Sequence, residues 1–303
     1  MISWRYHVVS IVAVMLALAL GVLAGTTFVG DPLVKILQRR TTSAEDRASA
    51  YLAERDRLSG YANETVPYLE TGRLSGIHAV LIVQEPIDNG LLNQTLAALQ
   101  ASGADVVAQI TVTSAIVNAA RQSDLATIVG PAGTDPNGLP GALAAELADR
   151  LAFGPSPRGP DLLDRLKGFL DVVVAPGGDL SALRGANTMA VVLAGGTGEP
   201  AIPPETFLEP LVRDLASTSA IPTAAGESLN STYGFVPQAR GDGAIADGSV
   251  VTVDDLDQTY GGVALVLGLA RLVVAPNGGG DYGVNGSSFI PPFSPAASGS
   301  PGP

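Results

Sequence analysis

The sequence has no cysteine and is poor in histidine and in positive charge. Its 303 residues include two histidines and 17 basic residues against 29 acidic ones. Without cysteine the chain cannot form disulfides, thiolate metal sites, iron–sulfur clusters, cysteine nucleophiles or a lipidated N-terminal cysteine. Because its only histidines are His7 and His78, a metal site built from several histidines of one chain is also excluded. The formal net charge of −12 argues against nucleic-acid binding, which requires a basic face.

A long run without charge lies near the N-terminus. No Asp, Glu, Lys or Arg occurs between Arg5 and Asp31. The apolar residues 8–30 are enough to cross a bilayer, which takes about 20 residues in a helix. Trp4 and Tyr6 precede the run, where aromatic rings prefer the membrane interface. The sequence therefore predicts a helix that crosses the lipid bilayer.

The apolar run is predicted to be retained as a signal anchor, after a short tail of residues 1–7. A cleavable signal peptide is the alternative, since residues 22–24 form an acceptable cleavage site. The run is longer than the roughly 7–15 apolar residues of such peptides, which favours retention. Basic residues are more numerous after the run, within residues 35–40, than before it. Charge alone would therefore keep the C-terminal side in the cytoplasm.

Residues 31–70 are predicted to form a helical stalk. They contain no glycine before Gly60 and are dense in arginine, glutamate, alanine and leucine. One seam of a coiled coil is present, with residues spaced by seven at Leu37, Ala44, Tyr51 and Leu58. The other seam is poor, because it consists of Thr41, Ala48, Arg55 and Ala62. The segment is therefore either a helix that spaces a domain from the membrane or the stalk of a parallel homodimer.

From residue 71 to residue 286, short apolar runs alternate with amphipathic stretches. The predicted strands are residues 77–83, 105–110, 172–175, 189–194, 221–225 and 250–253. The predicted helices are residues 89–102, 139–153, 161–170, 205–217 and 255–272. This alternation predicts an α/β domain with a Rossmann-like, doubly wound and mostly parallel sheet. Loop-rich segments at 130–140 and 154–160 leave open a division of this domain into two lobes. The tail 287–303 is rich in Pro, Ser and Gly and is predicted to be disordered.

Glycine pairs follow two of the predicted strands. Gly177 and Gly178 come after the third strand, and Gly195 and Gly196 come after the fourth. Ligands of such sheets bind beyond the carboxyl ends of the strands, so these glycines are the candidates for a cofactor site if the domain binds a small molecule. A dinucleotide fingerprint needs a helix that begins inside the glycine motif, whereas prolines follow Gly196 here. Turns are the simpler interpretation, and no cofactor is predicted.

Three aspartates and one histidine are the remaining candidates for a site. Asp254, Asp255 and Asp257 could ligate a hard cation, but a position in the first turn of a predicted helix explains them equally well. His78 lies in a predicted strand with no second histidine nearby, so we interpret it as a core residue. No catalytic triad can be assembled. We predict neither a metal site nor enzymatic activity.

The opening residues MISWRYHVVSIVAVMLALALGVLAG resemble those of the actinobacterial MctB family, known as copper-transport outer-membrane proteins. Residues 261–274 (GGVALVLGLARLVV) and 280–286 (GDYGVNG) also resemble the C-terminal part of that family. The resemblance implies a membrane segment, a helical stalk and an α/β domain outside the cytoplasmic membrane. It also implies a role in copper homeostasis, as a pore or an efflux component. Some relatives are associated instead with cell separation, acting beside a membrane partner on hydrolysis of the septal wall.

The resemblance supplies no ligand residues, and the composition is unfavourable for a copper site. Cu(I) prefers thiolate and thioether ligands and Cu(II) prefers imidazole, whereas the chain has no cysteine, two histidines and three methionines. The predicted strands are short and alternate with helices, unlike the roughly ten-residue strands of a membrane barrel. We therefore expect a role in copper export or homeostasis without a copper site in this chain. The alternative is a non-catalytic scaffold in cell separation that acts through a membrane or envelope partner.

Overall fold

The structure, a computed structural model, describes four stretches of the chain: residues 4–25, 31–130, 135–218 and 221–292. The chain forms two compact units, residues 1–61 and residues 62–303. The first unit contains two helices without a sheet among its described residues. The second unit contains every strand that the structure describes.

Helix α1 is the apolar helix that the sequence predicts. It spans Trp4–Ala24, has no buried residue, and is long and apolar enough to cross a membrane. Residues 4–7 belong to this helix, so it begins before the predicted start of the span. Residues 26–30, the last part of the predicted span, lie outside the described residues.

Helix α2 spans Asp31–Glu70 and has 40 residues. Its continuity agrees with the scarcity of helix-breaking residues in this segment, although Pro67 lies inside it near the end. Several large apolar side chains of its second half are exposed: Tyr51, Leu52, Leu58, Tyr61 and Tyr68. The predicted helix is observed, and its pairing with a second helix as a coiled coil stays a prediction.

The unit of residues 62–303 is built on a seven-stranded sheet. The strands are β1 His78–Gln84, β2 Asp105–Val112, β3 Leu170–Val174, β4 Thr188–Leu193, β5 Thr223–Gly226, β6 Val250–Val253 and β7 Gly280–Tyr282. Their order is β3-β2-β1-β4-β5-β6-β7, and every neighbouring pair is parallel except β2 and β3. The helices are α3 Asn89–Ala101, α4 Gln122–Val129, α5 Leu139–Phe153, α6 Leu162–Arg165, α7 Leu208–Arg213, α8 Phe235–Gly241 and α9 Thr259–Val274.

Helices cover both faces of the sheet, because successive side chains of a strand point to opposite faces. On β1, Val80 and Ile82 point into a core that also contains residues of α5, α7 and α8. Ala79, Leu81 and Val83 point into a second core with residues of α3 and α9. The predicted α/β fold with a mostly parallel sheet is therefore confirmed.

The direction of β3 and the existence of β7 were not predicted. β3 runs antiparallel to β2, because α6 and a turn at Gly168, with a φ of +83°, bring the chain back along the edge of the sheet. The apolar pattern of a strand does not encode its direction. β7 consists of Gly280, Asp281 and Tyr282, which form no apolar run that a sequence pattern could show.

Several predicted helices have different bounds in the structure. The helix predicted over 161–170 is reduced to α6, because Leu170 already belongs to β3. The helix predicted over 205–217 is α-helical only over α7. Helix α9 begins at Thr259, after the predicted start at residue 255. The short helices α4 and α8 have no counterpart in the prediction.

The loop-rich segments at 130–140 and 154–160 do not separate two lobes. Strands β1 and β2 precede both segments, whereas β3 to β7 follow them. All seven strands nevertheless pair in one sheet, with β1 hydrogen-bonded directly to β4. The segments are therefore connections within a single sheet-based domain.

Ordered contacts continue into the predicted C-terminal tail. The Ser287 N–H donates a hydrogen bond to the Asp281 carbonyl at 2.9 Å, and the Gly283 N–H donates one to the Ser288 carbonyl at 3.0 Å. These bonds fasten the start of the tail to β7, beyond the predicted boundary at residue 286. The remainder, residues 293–303, lies outside the described residues.

Candidate functional site

Strands β1 and β4 mark the topological switch point of the sheet. The chain passes from β1 to β2 on one side, and it later places β4 on the other side of β1. Doubly wound sheets bind ligands at such a point, in the crevice outside the carboxyl ends of the strands. The loops after these strands, residues 85–88 and 194–203, would line that crevice.

Contacts within the chain fill this crevice. The Asp88 N–H donates a hydrogen bond to the Gly195 carbonyl at 3.1 Å. The Tyr233 hydroxyl accepts a hydrogen bond from the Gly195 N–H at 3.0 Å and donates one to the Pro86 carbonyl at 3.1 Å. A Cβ on Gly196 would lie 2.9 Å from that Pro86 oxygen, so the two loops are closer than a side chain at this position would allow. We refer to Pro86, Asp88, Gly195, Gly196 and Tyr233 as the strand-end plug.

Further polar groups of the candidate glycine turn are also bonded within the chain. Thr232 Oγ1 donates to the Gly196 carbonyl at 3.1 Å and contacts the Gly198 carbonyl at 3.0 Å. Burial raises the pKa of the half-buried Tyr233 hydroxyl, which keeps its proton available for the Pro86 carbonyl. In this arrangement the Gly195 N–H donates its hydrogen bond to the Tyr233 hydroxyl and not to a phosphate.

The other pair of candidate glycines lies at the opposite edge of the sheet. Because β3 is antiparallel, its carboxyl end lies beside the amino end of β2. There the Ala175 N–H donates to the Val107 carbonyl at 2.9 Å, and the Gly178 N–H donates to the Ala175 carbonyl at 2.8 Å. Gly177 has a φ of +82°, as a tight turn requires. The structure therefore does not bring Gly177 and Gly178 together with Gly195 and Gly196.

A buried acidic cluster lies at the carboxyl edge, beside the plug. It consists of Glu227 after β5 and of Asp254 and Asp255 after β6, with exposed fractions of 5%, 3% and 0%. Arg240 of α8 is its ion-pair partner, since Arg240 Nη1 lies 2.8 Å from Asp254 Oδ2. One guanidinium therefore faces three buried carboxyl groups.

Arg240 also joins the last two strands of the sheet. Its Nε donates to Thr252 Oγ1 at 2.7 Å, and its Nη2 donates to the Tyr282 carbonyl at 2.7 Å. Thr252 Oγ1 in turn donates to Asp281 Oδ1 at 2.8 Å. The arginine is thus held by β6 and β7 while it neutralises Asp254.

Burial changes the pKa values of the acidic cluster. Burial is the main cause that raises the pKa of Glu227 to about 7. The Val236 N–H, which donates to Glu227 Oε2, lowers this pKa, whereas the negative charge of Asp254 raises it. Burial likewise raises the pKa of Asp255 to about 6, again with a contribution from Asp254. Both carboxyl oxygens of Asp255 are buried, and the backbone of Val284 offsets only part of this rise. At mildly acidic pH, Glu227 and Asp255 are therefore largely protonated.

The expected role of the aspartates as the first turn of a helix is wrong. Helix α9 begins at Thr259, so Asp254, Asp255 and Asp257 lie in the preceding loop. Asp257 Oδ1 accepts a hydrogen bond from the Leu229 N–H at 2.7 Å and ties this loop to the one after β5. The sequence pattern does not point to Glu227, Tyr233 or Arg240. The partners of Tyr233 lie 38 and 147 residues away along the chain, and Arg240 lies in α8, which is short and contains a proline.

The sequence profile of the MctB family, described as "copper transport outer membrane protein, MctB", matches residues 1–291. The chain belongs to the MctB family. No curated protein matches the chain. The segments that carried the resemblance lie in α1, in α9, and in β7 with the loop that follows it. In this MctB chain the GDYGVNG segment supplies the Tyr282 carbonyl for Arg240 and the Asn285 N–H, which donates to Asp254 Oδ2 at 3.0 Å.

The side chains that copper prefers are scattered in this MctB protein. The interpretation of His78 as a core residue is wrong, because its side chain is 32% exposed. His78 Nδ1 lies 3.0 Å from Asp105 Oδ2, so the histidine is held by a carboxylate at the start of β2. Met189 is fully buried in β4, among apolar residues of the core. Met15 lies exposed on α1. Among the described residues, no group of three His, Asp or Glu side chains is placed to hold a metal ion.

Proposed function

We propose that this MctB protein is a membrane-anchored, non-enzymatic envelope protein that supports copper export without a tight copper site of its own. The family match and helix α1 support the membrane and copper parts of this proposal. We further propose that α1 is a retained signal anchor and that the α/β domain lies outside the cytoplasm, as the family description suggests. A partner in the envelope would then hold the copper, and this chain would act on that partner.

The distribution of ligand side chains carries the proposal. Tight copper sites in proteins gather several soft or imidazole ligands around one ion. Here Met189 is enclosed by the core, and His78 already has a carboxylate partner. A single thioether at Met15, or a single imidazole, does not make such a site. The copper-related role is therefore better explained by a partner that binds the metal.

The strand-end plug supports the non-enzymatic part of the proposal. An enzyme of this architecture holds its substrate in the switch-point crevice. In this chain Pro86, Gly195 and Tyr233 occupy that place through mutual hydrogen bonds. The domain is better suited to present a surface than to enclose a small substrate.

The test is cell-associated copper at raised external copper in a parent strain, a deletion strain and the complemented strain. We expect copper to accumulate on deletion and complementation to reverse this. A chain with Met15→Leu and His78→Gln should complement as well as the unaltered chain, because neither side chain is proposed to hold copper. Equal copper in parent and deletion strains would overturn the export role. Failure of the substituted chain at normal abundance would overturn the indirect mechanism.

A scaffold in cell separation is the second candidate, and the exposed side chains of α2 favour it. Five large apolar residues of this helix are 53–84% exposed, namely Tyr51, Leu52, Leu58, Tyr61 and Tyr68. A membrane-held helix with such side chains fits a protein partner or a second copy of the chain. On this proposal, deletion changes cell chaining and septum morphology while copper tolerance stays normal. Copper sensitivity without a shape defect would decide against it.

A further inference from the structure

The last residue of α2 places a carboxyl group inside the α/β unit. Glu70 is only 3% exposed. A Cβ on Gly262 of α9 would lie 3.4 Å from Glu70 Oε1 and 3.2 Å from the Cβ of Ala98 of α3. The glycine therefore leaves room for the carboxyl group between α3 and α9.

Charged groups in the neighbouring elements do not compensate Glu70. Helix α3 contains no charged residue. The titratable residues of α9 are Tyr260, which lies near the buried aspartates, and Arg271, which is about 13 Å along the helix from Gly262. In the turn between α2 and β1 the only charged residue is Arg73, whose Nε donates to a backbone carbonyl at 3.1 Å. A deprotonated Glu70 would thus be a buried charge without a partner.

Burial alone raises the pKa of Glu70 from 4.5 to about 7. The seated carboxyl group therefore binds its proton more tightly than the same group in water. Since the seated state carries more protons than the released state, its stability falls as pH rises from about 4.5 to about 7, and it is constant above that range. The seated Glu70 therefore changes its protonation near neutral pH.

We propose that Glu70 is a proton-controlled latch between the last turns of α2 and the α/β domain. In the protonated state the neutral carboxyl group stays seated between α3 and α9 and holds residues 62–70 on the domain. Loss of the proton leaves a buried negative charge, which favours release of this segment to solvent. Because α2 lies between the membrane helix and the domain along the chain, the latch makes their connection sensitive to the pH around the domain.

Hydrogen–deuterium exchange of the full chain in detergent micelles tests the latch between pH 6 and pH 8. After correction for the intrinsic exchange rate, we expect the opening equilibrium of residues 62–70 to rise roughly tenfold over this range. The Glu70→Gln variant should stay protected at both pH values, because its amide cannot ionise. Glu64→Gln, an exposed change on the same helix, should behave like the unaltered chain. Residues 139–153 of α5 serve as the reference segment.

Equal protection of residues 62–70 at pH 6 and pH 8 in the unaltered chain would overturn the latch. Removal of the pH dependence by Glu64→Gln, as completely as by Glu70→Gln, would overturn it as well. If Glu70→Gln does not fold, the comparison of residues 62–70 with α5 in the unaltered chain still decides, because that comparison needs no variant.

Discussion

At the scale of single residues, a few polar side chains fasten loops that lie beyond the ends of the strands. Arg240 binds one carboxylate, one hydroxyl and one carbonyl from three places in the chain. Tyr233 binds the loops after β1 and β4 through one oxygen. A contact of this kind contributes most where it is buried, as between Arg240 and Asp254, since loss of one partner leaves the other unsatisfied away from water.

Replacement of Arg240 should destabilise the α/β domain strongly. In Arg240→Met, Asp254 stays buried without its cation, which costs about 3–5 kcal/mol of unfolding free energy. Thermal unfolding of the full chain measures this loss. Arg158→Met, at an exposed arginine, is the control and should change stability by less than about 0.5 kcal/mol. Similar losses in both variants would contradict the central role of Arg240.

Removal of one hydroxyl should loosen the strand-end plug. Tyr233→Phe keeps the ring but leaves the buried Gly195 N–H without its partner, at a cost of about 1–3 kcal/mol, whereas the exposed Pro86 carbonyl can bind water instead. Chemical denaturation measures the change, and hydrogen exchange should show faster opening of the loop after β4. Tyr68→Phe, at a residue that is 84% exposed, is the matched control and should be neutral. An unchanged midpoint for Tyr233→Phe would show that the plug is not held by this hydroxyl.

At the scale of elements, the sequence predicts what depends on local pattern and misses what depends on distant partners. Strands β1, β4 and β6 are mostly apolar, and they lie within a residue or two of the predicted positions. The direction of β3 depends on how the chain turns at Gly168, which hydrophobic pattern does not report. The plug depends on Tyr233, a residue far along the chain from the glycine turn that it closes.

Two glycines in helices should respond oppositely to the same substitution. A Cβ on Gly268 of α9 would lie 2.8 and 2.9 Å from the methyl carbons of Val251, because this helix packs closely on β6. Gly268→Ala should therefore cost about 1–3 kcal/mol. A Cβ on Gly141 of α5 would meet nothing within 4 Å, so Gly141→Ala should stabilise by roughly 0.5–1 kcal/mol. Urea denaturation of the two variants measures both changes in the free energy of unfolding. Stabilisation by Gly268→Ala would contradict the close packing.

At the scale of the whole molecule, three buried carboxyl groups should make the domain less stable as pH rises. Burial raises the pKa of Glu70 and Glu227 to about 7 and that of Asp255 to about 6. The folded domain therefore holds more protons than the unfolded chain between pH 5.5 and pH 8, and raising the pH favours unfolding. We expect a loss on the order of 3–5 kcal/mol over this range, measured by denaturation at both pH values. The combined change Glu70→Gln and Glu227→Gln should remove most of this dependence, and equal stability at both pH values would contradict the assignment.

The first strand after helix α2 along the chain is β1, and this order has a mechanical consequence. β1 is bonded to β2 along one side and to β4 along the other. If α1 is held in a membrane, as we propose, tension along α2 reaches a strand that two hydrogen-bonded ladders resist together. An attachment at an edge strand such as β3 would let the sheet peel one bond at a time. A domain held in this way would bear load without losing its outer strands first.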